Sequence, residues 1–397
     1  MPTLSNIALQ RFRSFPRDVV EFDNPTFLIG QNGSGKSNFA DTFGFLAEVM
    51  TSPLQAAFDR RGGFSAVANR SSARGRPSNL GIRMTLRDLN GESSAARYAF
   101  ELRALKNYGF EVVREQCIVT KPDGVRNWFD RRGTSFGSNV RSLEPAVDAN
   151  ALALPLIGGD VRFQPVFRFL TNMQAYRIEP AVIREMQDPD GGIRLRPDGA
   201  NAASVLREIE RESPDGWKRI LTLLRTIVPS TVDVRPKKHG NKLTLEFAQD
   251  WGTSEPVRFE SFSMSDGTLR ALGLLTAVFQ RPPPSVLVIE EPEVTMHPGA
   301  LGSVLDVVRH ASRFMQVIVT THSPDILDAS WIEDRHLRVV SWDRGASRIA
   351  PVSEAARAAL REHLMGAGEL LRSNALASAK LFTVNPQQCE LFTSDLG

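Results

Sequence analysis

Short apolar runs separated by turn-forming residues dominate the first third of the chain. Residues 7–12, 19–22 and 27–29 are punctuated by Pro16 and Asn24-Pro25 and read as strands. A helical stretch follows from Lys36 towards Met50. Beyond a polar, arginine- and serine-rich connection at 60–79, alternating segments recur at 80–86, 97–105 and 110–119. Lys121-Pro-Asp-Gly marks a turn into a further run at 125–129, so the pattern predicts an antiparallel meander. From 132 to about 159 no period stands out, and an irregular path is expected.

In the middle of the chain, 202–211 and 217–228 carry helical spacing, the second with Leu221, Leu224 and Val228 on one face. Strand-like 231–234 and 243–247 flank a basic run at 235–242. The last third alternates: strand 286–289, helix 299–312, strand 316–320, short helix 325–330, strand 336–341. Such alternation predicts parallel strands with helices on their faces. No internal repeat is visible, and the tail beyond about Lys380 lacks periodicity and is expected to be poorly ordered.

The chemistry is concentrated where strands end. Residues 30–37, Gly-Gln-Asn-Gly-Ser-Gly-Lys-Ser, follow the apolar run at 27–29 and open the helix at Lys36. That is the strand–loop–helix setting of a phosphate-binding loop. Glycines at 30, 33 and 35 allow a tight turn whose N–H groups point inward at oxyanions. Lys36 supplies a point charge for β- and γ-phosphates, and the Ser37 hydroxyl suits Mg²⁺. A nucleoside triphosphate is therefore the expected ligand. The strand at 286–289 ends in Glu290-Glu291-Pro292. Glu290 is expected beside Mg²⁺, directly or through a metal-bound water, and Glu291 is expected to polarise the attacking water. The strand at 316–320 runs into Thr321-His322-Ser323-Pro324, which places His322 to sense or orient the γ-phosphate. Met264-Ser265-Asp266-Gly267-Thr268 begins an apolar helix with Ser265 or Asp266 as its N-cap. A helix N-terminus with an exposed hydroxyl also makes an anion site, which a second copy of the chain could present to the γ-phosphate.

Composition changes this picture little. The chain of 397 residues is 42% hydrophobic and 23% charged, enough for a substantial core in two lobes. A formal charge of +3 permits a nucleic-acid partner without demanding one. Two cysteines, Cys117 and Cys389, suggest neither a disulfide framework nor a cysteine metal site. No apolar run reaches the ~18–20 residues of a membrane span, and the first residues lack a secretory pattern, so a cytoplasmic protein is expected.

Together these motifs resemble the ABC-type ATPases of the SMC, Rad50 and RecF group, and within it the compact prokaryotic AAA_21 or OLD-like ATPases. The resemblance rests on Phe12-Arg13-Ser14-Phe15, the loop at 30–38, Arg61-Gly62-Gly63, the signature at 264–270, Glu290-Glu291-Pro292-Glu293, His297-Pro298 and 321–324. It covers about residues 1–130 and 255–345. It implies an α/β fold, a P-loop NTPase of ABC-ATPase type, with a mixed central sheet, helices on both faces, an antiparallel β lobe and a helical insert. The implied division is 1–130 and 255–345 as the two parts of an ATPase head, 131–254 as insert, and 346–397 as C-terminal helix and tail. The implied nucleotide-binding residues are Arg13, Gly30, Asn32, Gly33, Ser34, Gly35, Lys36, Ser37 and Asn38, with Arg13 touching phosphates. Ser37 and Glu290 would serve Mg²⁺, Glu291 and His322 would be catalytic, and Ser265, Asp266 and Gly267 would act on the ATP of the opposite protomer. The family's D-loop falls at 294–297, and Gln174 stands as a candidate for its glutamine loop. Two departures stand out: Met-Ser-Asp-Gly-Thr replaces Leu-Ser-Gly-Gly-Gln, and Glu290 replaces the usual aspartate, lengthening the arm to the metal by one methylene.

About 230 positions separate Ser37 from Ser265, longer than a transporter ATPase and far shorter than a long coiled coil requires. About 75 residues follow His322, and they hold no Asp-x-Asp pair of the kind a Toprim nuclease domain needs. Two functions remain. One is an ATPase whose ATP-driven homodimerisation controls action on DNA, in repair or antiphage defence. Phosphate contacts would come from Arg60, Arg61, Arg70, Arg74, Arg76, Arg83, Lys237, Lys238 and Lys242, the alternative being that these are simply solvated. The other is a regulatory scaffold that binds ATP and gates a separate effector encoded nearby.

Overall fold

The computed structural model describes residues 1–69, 79–89, 94–106, 109–141, 143–376 and 386–396. The chain divides into two compact units. One comprises 1–173, 334–358 and 376–397, and the other 174–333 and 359–375.

In the first unit, strands β1 (Thr3–Phe12) and β2 (Phe15–Glu21) form a hairpin, and β3 (Thr26–Ile29) leads through the glycine loop into helix α1 (Lys36–Thr51). Strands β4 (Asn79–Arg87), β5 (Ala95–Ala104), β6 (Phe110–Thr120), β7 (Arg126–Arg132) and β8 (Ser135–Ser138) continue an antiparallel sheet of order β2-β1-β4-β5-β6-β7-β8. This is the predicted meander. On one face of β4, Leu80, Ile82, Met84 and Leu86 are all fully buried, and on the other Gly81 and Arg83 are buried too, beneath the C-terminal residues. The segment at 132–159 is less irregular than its sequence suggests, since it holds β8 and a short helix, Leu154–Ile157. Helix α1 is buried on most of its surface. Phe39 meets Phe15 and Phe22, and Phe43 meets Phe22 and Phe39, by edge-on or tilted contacts, while Phe45 meets Phe12 and Phe58. Each such ring contributes about 1.5–3 kcal/mol through burial, which anchors the helix that carries the loop.

A second hairpin closes this unit. Leu337–Asp343 runs parallel to β3, pairing Leu337 with Phe27 and Val339 with Ile29, and antiparallel to Ala346–Pro351, a strand the sequence pattern did not reveal. The tail departs from expectation where it is described, while 377–385 lie outside the described residues. Residues 386–396 lie on the β sheet with Cys389 and Leu391 buried. Gln10 donates to the Cys389 carbonyl at 2.8 Å, Arg83 and Arg97 to that of Glu390 at 2.9 and 2.7 Å, and Gln116 to that of Thr393 at 3.0 Å. Leu391 sits over Gly81, where a Cβ would come within 2.2 Å of its methyl. Side chains rather than a regular ladder satisfy this strap, so no periodicity betrays it.

In the second unit, Val286–Glu290 and Gln316–Thr321 are parallel neighbours, with Glu290 opposite Thr320, joined through helix Pro298–Ala311. Helix Asp266–Phe279 packs against Pro214–Ile227. The latter buries Trp217, Ile220 and Leu224, not the expected Leu221 and Val228, which are only half-buried. Ile220, three residues after Trp217, takes the buried place expected of Leu221. The basic run at 235–242 is not a loop between strands. It forms the paired ends of Thr231–His239 and Lys242–Gln249, turning at Gly240. The expected short helix at 325–330 is a single 3₁₀ turn, Asp325–Asp328.

Candidate functional site

In the first unit the phosphate loop is fixed by close backbone approaches. A Cβ at Gly30 would lie 2.3 Å from the Val340 carbonyl oxygen, and one at Gly35 would lie 2.2 Å from Ser347 Oγ. Gly33 and Gly35 adopt φ of 78° and 111°, conformations that other residues enter only with strain. Ser347 Oγ donates to the Ser34 carbonyl at 2.7 Å and lies 2.7 Å from Ser14 Oγ, to which Asn38 Nδ2 donates at 2.9 Å. The hairpin at 337–351 thus clamps the loop from outside. Lys36 is buried and folds back, its Nζ donating to the carbonyls of Gly30 and Gln31 at 2.7 and 3.1 Å. Asn32 and Ser37 are exposed.

This geometry fits a triphosphate. Helix α1 begins at Gly35 with no side-chain cap and no acidic residue in its first turn, so its leading N–H groups and dipole favour an anion. Ser34 Oγ is buried and, among the described residues, has no hydrogen-bond partner. Arg13, in a left-handed conformation with φ 51°, pairs with Asp41 at 2.6 Å, and Arg61 grips the same carboxylate at 2.9 Å.

In the second unit the acidic strand delivers its carboxylates to one spot. Glu291 leaves the strand with φ 45°, its N–H donating to the Thr320 carbonyl at 3.0 Å. Its Oε1 lies 3.5 Å from His322 Nδ1. The buried Glu293 accepts from Thr321 Oγ1 at 2.6 Å and from the His322 N–H at 3.2 Å, and its Oε1 is 3.7 Å from His322 Nδ1. Glu291, Glu293 and His322 therefore form one cluster at the ends of two parallel strands. In the sequence Glu293 stands only as part of the Glu290-Glu291-Pro292-Glu293 run. The chain then turns twice, Val294 N–H to the Glu291 carbonyl and Met296 N–H to that of Glu293, with Thr295 at φ 65°. His297 caps the next helix, its Nδ1 accepting from the Gly299 N–H at 3.1 Å.

The signature lies against this turn. Ser265 is the N-cap of helix Asp266–Phe279, accepting from the Thr268 N–H at 3.3 Å, which settles the choice between Ser265 and Asp266. A Cβ at Gly267 would come within 2.9 Å of the Thr295 carbonyl oxygen, so the helix tip needs a glycine to approach the turn. Ser265 and Asp266 are exposed. Arg184 pairs with Asp266 and donates to the Met264 carbonyl at 3.1 Å. One turn on, Arg270 is buried. Desolvation pulls its guanidinium below the ordinary arginine range, against the opposing pull of Glu179, Asp266 and Glu291. Arg184 and Ser347 carry no signal in the sequence, because only tertiary packing brings them to their partners, whereas Thr295 falls in the D-loop that the resemblance implies. Gln174 lies half-buried in the short strand Met173–Tyr176.

Comparison with known proteins bears on the whole arrangement. The family model described as "AAA domain, putative AbiEii toxin, Type IV TA system", AAA_21, matches residues 26–114 and 166–328, well over half of the chain. The chain belongs to this family. Among solved structures it is similar to the Smc head domain with an extended coiled coil bound to the C-terminal domain of ScpA, derived from Pyrococcus furiosus. The two are 13% identical with a TM-score of 0.55, over 92% of this chain and 100% of that one. It is likewise similar to the SmcHead bound to the C-winged helix domain of ScpA, at 13% identity and a TM-score of 0.55, over 89% and 99% of the two chains. At that identity the likeness establishes the fold, a mixed α/β P-loop ATPase fold of the SMC-head kind, as the sequence motifs implied. No curated protein matches the chain. Among the described residues, no helix of this AAA_21 protein is long and apolar enough to cross a membrane.

Among the described residues offered as DNA contacts, all but Lys238 are engaged within the chain. Arg60 and Arg61 pair with Glu48, Arg83 with the tail and Asn6, Lys237 with Glu246 and Glu260, and Lys242 with Asp188. Lys238 is exposed, and Arg70, Arg74 and Arg76 lie outside the described residues.

Proposed function

We propose that this AAA_21 protein binds ATP with Mg²⁺, that two copies close head-to-tail around it, and that the closed pair hydrolyses it. The observation that carries the reading is the Glu291–Glu293–His322 cluster at the ends of adjacent parallel strands, in a chain whose glycine loop fits a triphosphate. Lys36 exchanges its contacts with the Gly30 and Gln31 carbonyls for phosphate oxygens. Ser37 and Glu290 are the residues that would hold Mg²⁺, which neutralises charge on the phosphates when bound. Glu291 takes the proton of the attacking water, and Glu293 holds the His322 backbone so that the imidazole faces Glu291. The exposed Ser265 and Asp266 present a capped helix N-terminus to the partner copy's γ-phosphate.

Glu291→Gln keeps the shape of the side chain and removes its basicity. Phosphate release should fall at least about a hundredfold while ATP still binds. Unchanged turnover would remove Glu291 from the reaction.

Between the two roles in the cell, internal pairing of most candidate DNA-contacting cations favours the regulatory scaffold, which gates a separate effector through the ATP-bound pair. Salt-dependent binding of duplex DNA in the presence of ATP would restore the direct role in DNA repair or antiphage defence.

A further inference from the structure

One wall of the cleft beside the phosphate loop is left unused by the chemistry above. The cleft lies wholly within the first unit and has a volume of about 560 Å³, lined by Arg13, Ser14, Asn38, Asn69, Trp342 and Gly345 among others. That is the size of a small-molecule site. Trp342 is 55% exposed and, among the described residues, makes no ring-stacking or cation–π contact.

Its position follows from register. Trp342 is the cross-strand partner of Ser347, so the two side chains emerge on one face of the hairpin. Ser347 is the residue whose hydroxyl bonds the Ser34 carbonyl of the phosphate loop and touches Ser14. The indole therefore stands beside the loop on the side where Asn38 and Ser14 meet. A nucleotide whose phosphates occupy the loop must lead its sugar and base away from it. The cleft offers that base a π face on Trp342 and polar groups at its edges.

We infer that Trp342 is the platform on which the base of the bound nucleotide stacks. The inference rests on reading the loop as a triphosphate site, and adds a base subsite to it. Because every purine has a stacking face, this subsite distinguishes ATP from GTP poorly.

The test is calorimetric titration of the full chain with ATP and with inorganic tripolyphosphate, each with Mg²⁺, for the wild type, Trp342→Ala and Trp342→Phe. Loss of an aromatic stack should weaken ATP binding by about tenfold or more in Trp342→Ala, with Phe restoring most of it. Tripolyphosphate, which has no base, should bind all three proteins alike. Equal ATP affinity in wild type and Trp342→Ala overturns the inference, as does an equal loss of both ligands. A wild type that binds neither ligand overturns the phosphate-site reading itself, which separates the two failures.

Discussion

Gly35 joins backbone geometry to chemistry at a single position. Its φ of 111° and the 2.2 Å approach of Ser347 Oγ to any added Cβ leave no room for a side chain. Gly35→Ala should therefore cost about 1–3 kcal/mol in stability and abolish Mg-ATP binding. Urea denaturation and calorimetry measure the two effects on one preparation, and retention of both stability and binding would show that the loop does not need this conformation. The need for glycine here was legible in the sequence, because a phosphate loop is defined by a run of adjacent residues. Its physical cause was not. Ser347 lies more than three hundred residues away and reaches the loop only because the hairpin at 337–351 adds to β3 in one register. Glu291 and His322 were legible for the same local reason, each at the end of a short apolar strand, whereas the buried Glu293 between them shows its part only once the strands pair.

Among the elements, β2 carries a device that periodicity alone could not expose. Asp18 lies fully buried, its carboxylate accepting from the Ile349 and Val19 N–H groups at 2.8 and 3.0 Å. Burial outweighs those bonds and the nearby Arg348, and raises its pKa from 3.8 to about 7. The fold thus prefers the protonated acid. That preference stabilises the protein fully below the unfolded value, is lost as pH rises towards about 7, and contributes nothing further above it. The unfolding free energy from urea denaturation should fall between pH 4 and 7 with a slope of at most about 1.4 kcal/mol per pH unit from this group. Asp18→Asn should flatten the profile in that window; an unchanged slope would assign it to other groups. The C-terminal strap and the strand Ala346–Pro351 escaped the sequence pattern because their partners, not their own periodicity, hold them in place. The runs of β4 to β6 were plain, since each is long and carries apolar residues at alternate positions, whatever covers the other face.

At the level of the whole molecule, the AAA_21 family and the SMC-head fold are established, and head-to-tail pairing around ATP is the central claim. It predicts that the glycine loop of one copy and the exposed Ser265 tip of the other make one site. Lys36→Ala should disable the loop, and Ser265→Arg should block the tip, so each variant alone should be inactive. Mixed in equal amounts, they can form pairs in which an intact loop faces an intact tip, by the exchange that a two-fold interface allows. The direct measurement is the ATPase rate of that mixture. Recovery to roughly a quarter of the wild-type rate is the predicted result, and a mixture as inactive as either variant alone would contradict the account.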